Sequence, residues 1–163
     1  MQPQKLIEHS FFQNLEYEHL KQLASCADET DFSPGSMIFR AGECACNFYL
    51  ITSGEIALEI QEPGSEPVRI GTLGAGELLG WSWLFPPYVW HFQARAIAPT
   101  KAIKFNAAPL LVACEEDHDF GYELMKRISQ VVIHRLQATR KQYLQLLQSH
   151  PEEARTEKLV NQP

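Results

Sequence analysis

The spacing of apolar side chains changes twice along the chain and divides it into three parts. From Leu15 to Cys26, apolar residues recur at helical spacing, which predicts a short amphipathic helix with Asn14 as its cap. From Phe32 to Phe105, short alternating runs are bounded by turn residues, a pattern typical of strands. Eight of the nine glycines lie in this middle part, where tight turns need positive φ. We therefore expect a barrel or sandwich of short strands after an opening helix.

The third part, after Asn106, has the pattern of helices. Pro109 suits the first turn of a short helix, and a long helix follows between Asp119 and Gln148, where Gly121 alone interrupts the run of helix-forming residues. At 1.5 Å per residue this helix would extend about 45 Å, more than the width of a small barrel. We expect its far half to pack against a second copy of the chain. Its largely apolar face is formed, at steps of three and four, by Met125, Ile128, Val132, Leu136, Thr139, Tyr143 and Leu146.

Length and composition set the domain organisation and exclude several partners. With 163 residues and 45% apolar side chains, one domain is predicted. It comprises an N-terminal helical segment (1–28), a β-roll (29–106), C-terminal helices (107–148) and a disordered polar tail (149–163). The net charge of -6 opposes attraction to nucleic acid or anionic lipid. No apolar run could cross a membrane and residues 1–10 hold no signal-peptide core, so we expect a cytoplasmic location without membrane contact.

Reactive side chains give little sign of catalysis. The four cysteines are too scattered for a disulfide scaffold, so we expect reduced thiols. The Cys44-Ala45-Cys46 motif invites a metal or redox role, yet zinc and iron–sulfur sites need about four ligands and one such pair supplies two. The acidic run from Glu115 to Asp119 is explained by the dipole of a helix start. Because no motif of a hydrolase, phosphate loop or zinc protease occurs, neither an enzyme nor a metal site is predicted. The cysteines are Cys26, Cys44, Cys46 and Cys114.

Three groups of residues follow one another in a specific order. The first is the segment His9–Leu15, and the second is Phe32-x-x-Gly35-x-x-Ile38-Phe39-x-x-Gly42-Glu43. The third is Asn47-Phe48-Tyr49-Leu50-Ile51-x-x-Gly54-Glu55-Ile56. Together they resemble the cyclic nucleotide-binding domain of the catabolite-activator and kinase-regulatory type, over residues 9–148. The resemblance implies an eight-stranded jelly-roll barrel with flanking helices and a long C-terminal helix, a mainly β fold that agrees with the residue spacing.

The same resemblance places a ligand site in the segment from Gly76 to Ala96, whose central part, Gly80 to His91, is called here the cassette. In that family a glutamate after a glycine accepts a hydrogen bond from the ribose hydroxyl, and an arginine further on pairs with the cyclic phosphate. Here Gly80 is retained, Trp81 stands at the glutamate position and Trp90 at the arginine position. Since burying an unpaired phosphate is costly, this difference disfavours tight binding of cyclic AMP or cyclic GMP in the usual way.

The aromatic residues of the cassette allow two interpretations. The rings of Trp81, Trp83, Tyr88 and Trp90 can stack on a flat ligand, or they can fill the cavity themselves. His91 could donate to an anion, or it is simply solvated. The predicted ligand-binding positions in the cassette are Gly80, Trp81, Ser82, Trp83, Trp90 and His91.

Basic residues outside the cassette offer substitute contacts. Strand alternation is expected to point Arg95 outward to the surface. On the long helix, Arg135 and Thr139 match family residues that approach the bound nucleotide, or they are ordinary residues of a helix seam. Arg140 replaces a small hydroxyl residue that the partner subunit contributes, and we hypothesise that it brings positive charge to the neighbour's pocket.

These features favour a homodimeric regulatory sensor. It would bind a cyclic nucleotide, another nucleotide-like molecule or a small aromatic ligand, and would signal through its C-terminal helix to a protein partner. In the bacterial activators a winged helix-turn-helix follows this helix, whereas here only the tail remains, so we expect no direct DNA binding. The alternative is a ligand-free, dimeric interaction module whose pocket is filled by its own aromatic rings.

Overall fold

The computed structural model describes residues 1–149, and their contacts divide the chain into two units. The first unit is residues 1–127, and the second begins at residue 128 within the last helix. The predicted disordered tail lies outside the described residues except for Ser149, which ends that helix. Among residues 1–149 there is no helix both long and apolar enough to cross a membrane.

Short helices precede the first strand. They are α1 (Pro3–Ile7), a 3-10 helix (Ser10–Phe12) and α2 (Tyr17–Ser25). The 3-10 helix lies in the segment His9–Leu15 that carries part of the family resemblance, and α2 lies within the predicted helix. The prediction that Asn14 caps this helix is wrong. Asn14 adopts φ 62, and the residue before α2 is Glu16. Asparagine tolerates the left-handed region better than most residues do, and here it turns the chain before the helix begins.

Eight strands follow, as predicted, and they pair into two antiparallel sheets. One sheet has the order β1-β8-β3-β6 and the other β2-β7-β4-β5, the double-sheet arrangement of a jelly roll. The residue spacing predicted a barrel or a sandwich, and the resemblance a jelly-roll barrel; the pairing gives two sheets of four strands, without a closed barrel among residues 1–149. The strands are β1 (Ala27–Phe32), β2 (Met37–Phe39), β3 (Asn47–Ser53), β4 (Ile56–Ile60), β5 (Val68–Leu73), β6 (Leu78–Leu79), β7 (Gln93–Ala96) and β8 (Thr100–Asn106).

A column of aromatic rings links the N-terminal 3-10 helix to the cassette. Phe12 contacts Phe105 with ring centroids 5.4 Å apart, and Phe105 stacks on Phe48 at 4.6 Å. Phe48 in turn stacks on Trp83 at 4.9 Å. All four side chains are almost completely buried. The column arises because Phe48 and Phe105 are paired residues of β3 and β8, so their side chains leave the sheet on the same face.

The two last helices are α3 (Ala107–Glu116) and α4 (His118–Ser149), and Asp117 lies between them. The Oδ1 atom of Asp117 accepts hydrogen bonds of 3.1 Å from the amides of Asp119 and Phe120, so it caps α4. Its Oδ2 atom lies 3.2 Å from Nε2 of the buried His19. The Phe120 amide, and then His19, hold the pKa of Asp117 below its ordinary value. The acidic run predicted to mark a helix start thus contains its cap.

Candidate functional site

The cassette begins where the chain leaves one sheet for the other. Gly80 follows β6 with φ 92, a conformation that glycine adopts without strain. A β-carbon at this position would lie 2.5 Å from Cη2 of Trp90 and 2.7 Å from Cζ3. A short 3-10 helix, Ser82–Leu84, comes next and is preceded by Trp81. The turn therefore requires glycine at position 80 for two reasons: its φ angle is positive, and the indole of Trp90 leaves no room for a β-carbon.

Trp90 is buried at the position where the family resemblance expects a phosphate-binding arginine. Its side chain is 3% exposed and stacks on Phe39 of β2, with ring centroids 3.8 Å apart and planes at 10°. The backbone amide of Trp90 donates to the Glu43 carbonyl at 3.0 Å, and its carbonyl accepts from the Gly42 amide at 2.8 Å. An apolar ring, fixed by backbone hydrogen bonds, thus occupies this position.

Trp81 and His91 lie together on the open side of the cassette. Their ring centroids are 6.1 Å apart and their planes differ by 30°, while Phe85 meets Trp81 edge-on at 6.3 Å. Trp81 is half-buried and His91 is exposed. The pair presents a flat, partly accessible aromatic surface, the kind of surface on which a planar ligand can stack.

Ser82 and Trp83 place two polar groups in the interior. Both residues are buried, at 2% and 0% exposure. The Ser82 hydroxyl and the Trp83 indole N–H have no hydrogen-bond partner within residues 1–149. Buried polar groups in folded proteins are nearly always satisfied by protein, water or ligand. The cassette therefore contains two neutral donors that no other residue in the described part of the chain accepts from.

The predicted cluster of four aromatic side chains is spread over three environments. Each indole has its own ring neighbours: Phe48 for Trp83, Phe39 for Trp90, and Phe85 with His91 for Trp81. Tyr88 is 42% exposed. Two of the rings therefore fill space inside the domain while Trp81 remains accessible, and whether any of the predicted positions contacts a ligand stays a prediction.

The expectation of reduced thiols is wrong for one pair, because Cys44 and Cys46 form a disulfide. Their Cα atoms are 5.4 Å apart, within the range that a disulfide spans. Ala45 between them is 2% exposed, whereas both cysteines are exposed. The chain bends at this point, which brings the two exposed cysteines together on the surface while Ala45 packs inward. Cys26 and Cys114 are free, as expected.

Arg95 points away from the inner face, as predicted from alternation, but it is not simply solvated. Its Nε donates to Glu59 Oε2 at 3.3 Å and Nη1 donates to the Gly35 carbonyl at 3.3 Å. The buried Gln93 donates to the same carboxylate at 3.1 Å. Sequence reasoning missed Glu59, which is 8% exposed and pairs with Gln93 across β4 and β7, although a carboxylate within the apolar run Ile56–Ile60 was a possible signal.

The three helix residues predicted to bind ligand all lie in the second unit. Arg135 and Thr139 are four residues apart on α4 and so share a face, and Arg140 follows. Thr139 and Arg140 are exposed. Their proposed contacts with a ligand or with a partner's pocket stay predictions.

The jelly roll, the short helix between its sheets and the following helices define the class of cyclic nucleotide-binding-like domains. Residues 29–117 match the family model of the cyclic nucleotide-binding domain, and the chain belongs to this family.

Relatives agree with this assignment. Over 76 residues the chain is 33% identical to a cGMP-dependent protein kinase of Caenorhabditis elegans, a match that spans 46% of this chain and 10% of the kinase. A Geobacter metallireducens structure described as a cyclic nucleotide-binding protein has 29% identity and a TM-score of 0.76, with 83% of this chain and 98% of that chain covered. A cyclic nucleotide-binding domain of Methylobacillus flagellatus, at 17% identity, has a TM-score of 0.72 and covers 86% of this chain and 79% of its own.

Proposed function

We propose that this domain is a regulatory sensor for a small planar ligand, held between the Trp81–His91 surface and the buried donors of Ser82 and Trp83. The observation that carries the proposal is the pair of buried polar groups without a protein partner among the described residues, next to a half-exposed indole. A heteroaromatic ring has a flat face that can stack on the indole of Trp81, and ring atoms that can accept hydrogen bonds from Ser82 and Trp83.

The uncharged side chains at two positions of the cassette favour a ligand without a phosphate group. Trp81 and Trp90 stand where the family resemblance expects an acid and an arginine, so a cyclic phosphate would meet indoles in place of a charge partner. An indole offers one N–H donor and no positive charge. We therefore expect a nucleoside or nucleobase to bind at least as well as the cyclic nucleotide that contains it. If Arg140 of a second copy supplies the missing charge, this order reverses.

The test is a thermal melting series with cyclic AMP, cyclic GMP, adenosine and guanosine. A ligand that binds only the folded state raises the melting temperature, and the rise grows with the ratio of ligand concentration to dissociation constant. We expect at least one compound to do so, and expect the rise to vanish in Trp81→Ala and shrink in Ser82→Ala. Tyr17→Ala is the control, because it removes a solvent-accessible aromatic ring from α2, outside the cassette. If none of the four compounds raises the melting temperature, the proposal is refuted.

One observation favours a second function, a ligand-free interaction module. Trp90 already fills the arginine position, stacked on Phe39 and packed against Gly80. In such a module the rings would replace the ligand, and only the fold and its surfaces would matter. The melting series separates the two functions, since the module would give a constant melting temperature throughout.

We further propose that the domain acts as a homodimer through the C-terminal part of α4. Leu136 is 48% exposed, Tyr143 48% and Leu146 61%, and these residues lie on one helical face at steps of seven and three. A second copy can cover an apolar face of this kind, because in a two-fold dimer the same apolar stripe of each α4 packs against the other. Ligand binding in the cassette would then be read out as a change in the dimer.

A further inference from the structure

The disulfide between Cys44 and Cys46 lies on the surface and encloses one residue. Both cysteines are exposed, and Ala45 between them is buried. A disulfide stabilises a fold mainly by closing a loop in the unfolded chain, and the gain grows with the number of residues enclosed. A bond across a single residue therefore contributes little to stability. Exposed disulfides that stabilise little are typical of thiol–disulfide exchange.

The segment that carries this bond is hydrogen-bonded to the cassette. The Ala45 amide donates to the Tyr88 carbonyl at 2.8 Å, and Cys44 forms an antiparallel bridge with Val89. Both backbone groups of Trp90 bond to the same segment, through Glu43 and Gly42. The backbone of residues 42–45 thus holds the end of the cassette and with it the buried indole.

The other cysteine is connected to the start of α3. The carbonyl of Cys46 accepts a hydrogen bond of 3.0 Å from the amide of Ala107, the first residue of that helix. Asn106, just before it, caps α3 by accepting from the Ala108 amide at 3.2 Å. The surface segment that carries the disulfide is therefore hydrogen-bonded both to the cassette and to the first C-terminal helix.

We propose that Cys44 and Cys46 form a redox modification site that exchanges with dithiol reductants and whose state controls the order of the cassette end. In the forward step a thiolate of the reductant attacks one sulfur, the Cys44–Cys46 bond breaks and a mixed disulfide forms. The second thiol of the reductant then displaces the protein sulfur. The protein gains two electrons and two protons as two thiols, and the dithiol becomes a disulfide.

Reduction acts on Trp90 through the backbone. Without the bond, residues 44 to 46 regain backbone freedom, and the short ladder between this segment and residues 88–90 opens more often. The amides that report this opening are those of Ala45 and Trp90, because each donates across the ladder. We expect their hydrogen exchange to accelerate by about tenfold in the reduced form, the effect of losing one net backbone hydrogen bond.

The experiment uses the full chain in a series of buffers with increasing ratios of reduced to oxidised dithiothreitol. Alkylation followed by tryptic mass spectrometry counts free thiols on the peptide 41–69, which holds Cys44 and Cys46 and neither of the other cysteines. We expect no label in the oxidised buffers and two labels in the reduced ones. Amide exchange at Ala45 and Trp90 should change at the same buffer ratio.

The matched control is the double variant Cys44→Ser/Cys46→Ser, in which exchange at both amides should be fast in every buffer. Three results would overturn the proposal. The peptide could carry two labels throughout, which means that the bond does not form. It could stay unlabelled in excess dithiothreitol while the protein is folded, which means that the bond does not exchange. Finally, reduction could leave both amides unchanged, which means that the site is not coupled to the cassette.

Discussion

The indole of Trp90 occupies the space that a side chain at residue 80 would need. A β-carbon on Gly80 would come within 2.5 Å of this ring, and the glycine has φ 92. Each residue thus depends on the other: the absence of a side chain at 80 lets the indole reach Phe39, and the packed indole excludes any larger residue at the turn. The glycine that the family places next to its ligand here lies next to a tryptophan.

This relationship predicts that Gly80→Ala lowers the free energy of unfolding by about 2–4 kcal/mol, through the left-handed backbone and the contact with the ring. Urea denaturation measures the loss. Gly76→Ala is the matched control, since Gly76 has φ 85 but a β-carbon there would have no neighbouring atom within 4 Å, and it should cost about 1–2 kcal/mol. Equal losses in the two variants would show that the indole can move aside. Trp90→Phe in the Gly80→Ala background should recover part of the stability.

Two tryptophans of the cassette are expected to have different roles: Trp90 stabilises the fold, and Trp81 binds the ligand. Trp90→Ala removes a ring that is 3% exposed and should cost about 3–5 kcal/mol, while Trp81→Ala removes a half-buried ring and should cost about 1 kcal/mol. Urea unfolding of both variants tests this order. The reverse order would mean that Trp81, and not Trp90, belongs to the core.

Acidification should weaken the α2–α4 connection through Asp117. Its folded-state pKa lies below the ordinary 3.8, so its contribution to stability is complete above that value and is lost as the pH falls through the folded pKa. Unfolding free energies measured from pH 6 down to pH 2.5 should therefore fall more steeply below about pH 4 in the wild type than in Asp117→Asn. Asn can still cap the helix, so the variant removes the charge alone. Asp28→Asn, which deletes an exposed strand carboxylate, is the control, and parallel curves for wild type and Asp117→Asn would contradict the prediction.

Much of the fold could be predicted because each element carries its own local pattern. The alternation in Ile56–Ile60 and the helical spacing after Asp117 are visible without knowledge of any distant residue. Asn14 is a position where the residue type fits two conformations, because asparagine favours both helix caps and left-handed turns. Only the surrounding structure selects the turn that is observed.

The candidate site depends on distant contacts and could be predicted only in part. Alignment of residues 94–96 with the family's strand after the pocket placed Trp90 at the arginine position, but its burial requires Phe39, which lies on the distant strand β2. The pairing of Cys44 with Cys46 likewise depends on a bend of the backbone that brings their Cα atoms to 5.4 Å, which the motif itself does not encode. Local alternation therefore predicted the direction of Arg95, whereas neither the packing of Trp90 nor the Cys44–Cys46 bond could be predicted.

Cys114 is expected to react slowly with alkylating reagents. Burial, helped by Glu115 and Asp117, raises the pKa of its thiol from 9.0 to about 11. Only the thiolate is nucleophilic, so at pH 8 alkylation of the folded chain should be at least about tenfold slower than in urea, after allowance for the partial exposure of the group. The rate is read from the tryptic peptide 105–126, which separates Cys114 from the other cysteines. Equal rates in the folded and unfolded chain would show that the thiol is unperturbed.

If the protein dimerises through α4, its mass in solution should rise with concentration, and one charged substitution in the interface should keep it monomeric. Sedimentation of the wild type should give twice the chain mass of 18.6 kDa. Leu136→Glu should give the monomer, because an interface would have to bury an unpaired carboxylate on the apolar face of α4. Gln137→Glu introduces the same charge one residue along, at an exposed position on a different face, and should leave the dimer intact. Since both variants keep strong helix formers, α4 itself should persist, which circular dichroism verifies. A wild type that remains monomeric at high micromolar concentration, or dissociation by both variants alike, would mean that this face is not where two copies meet.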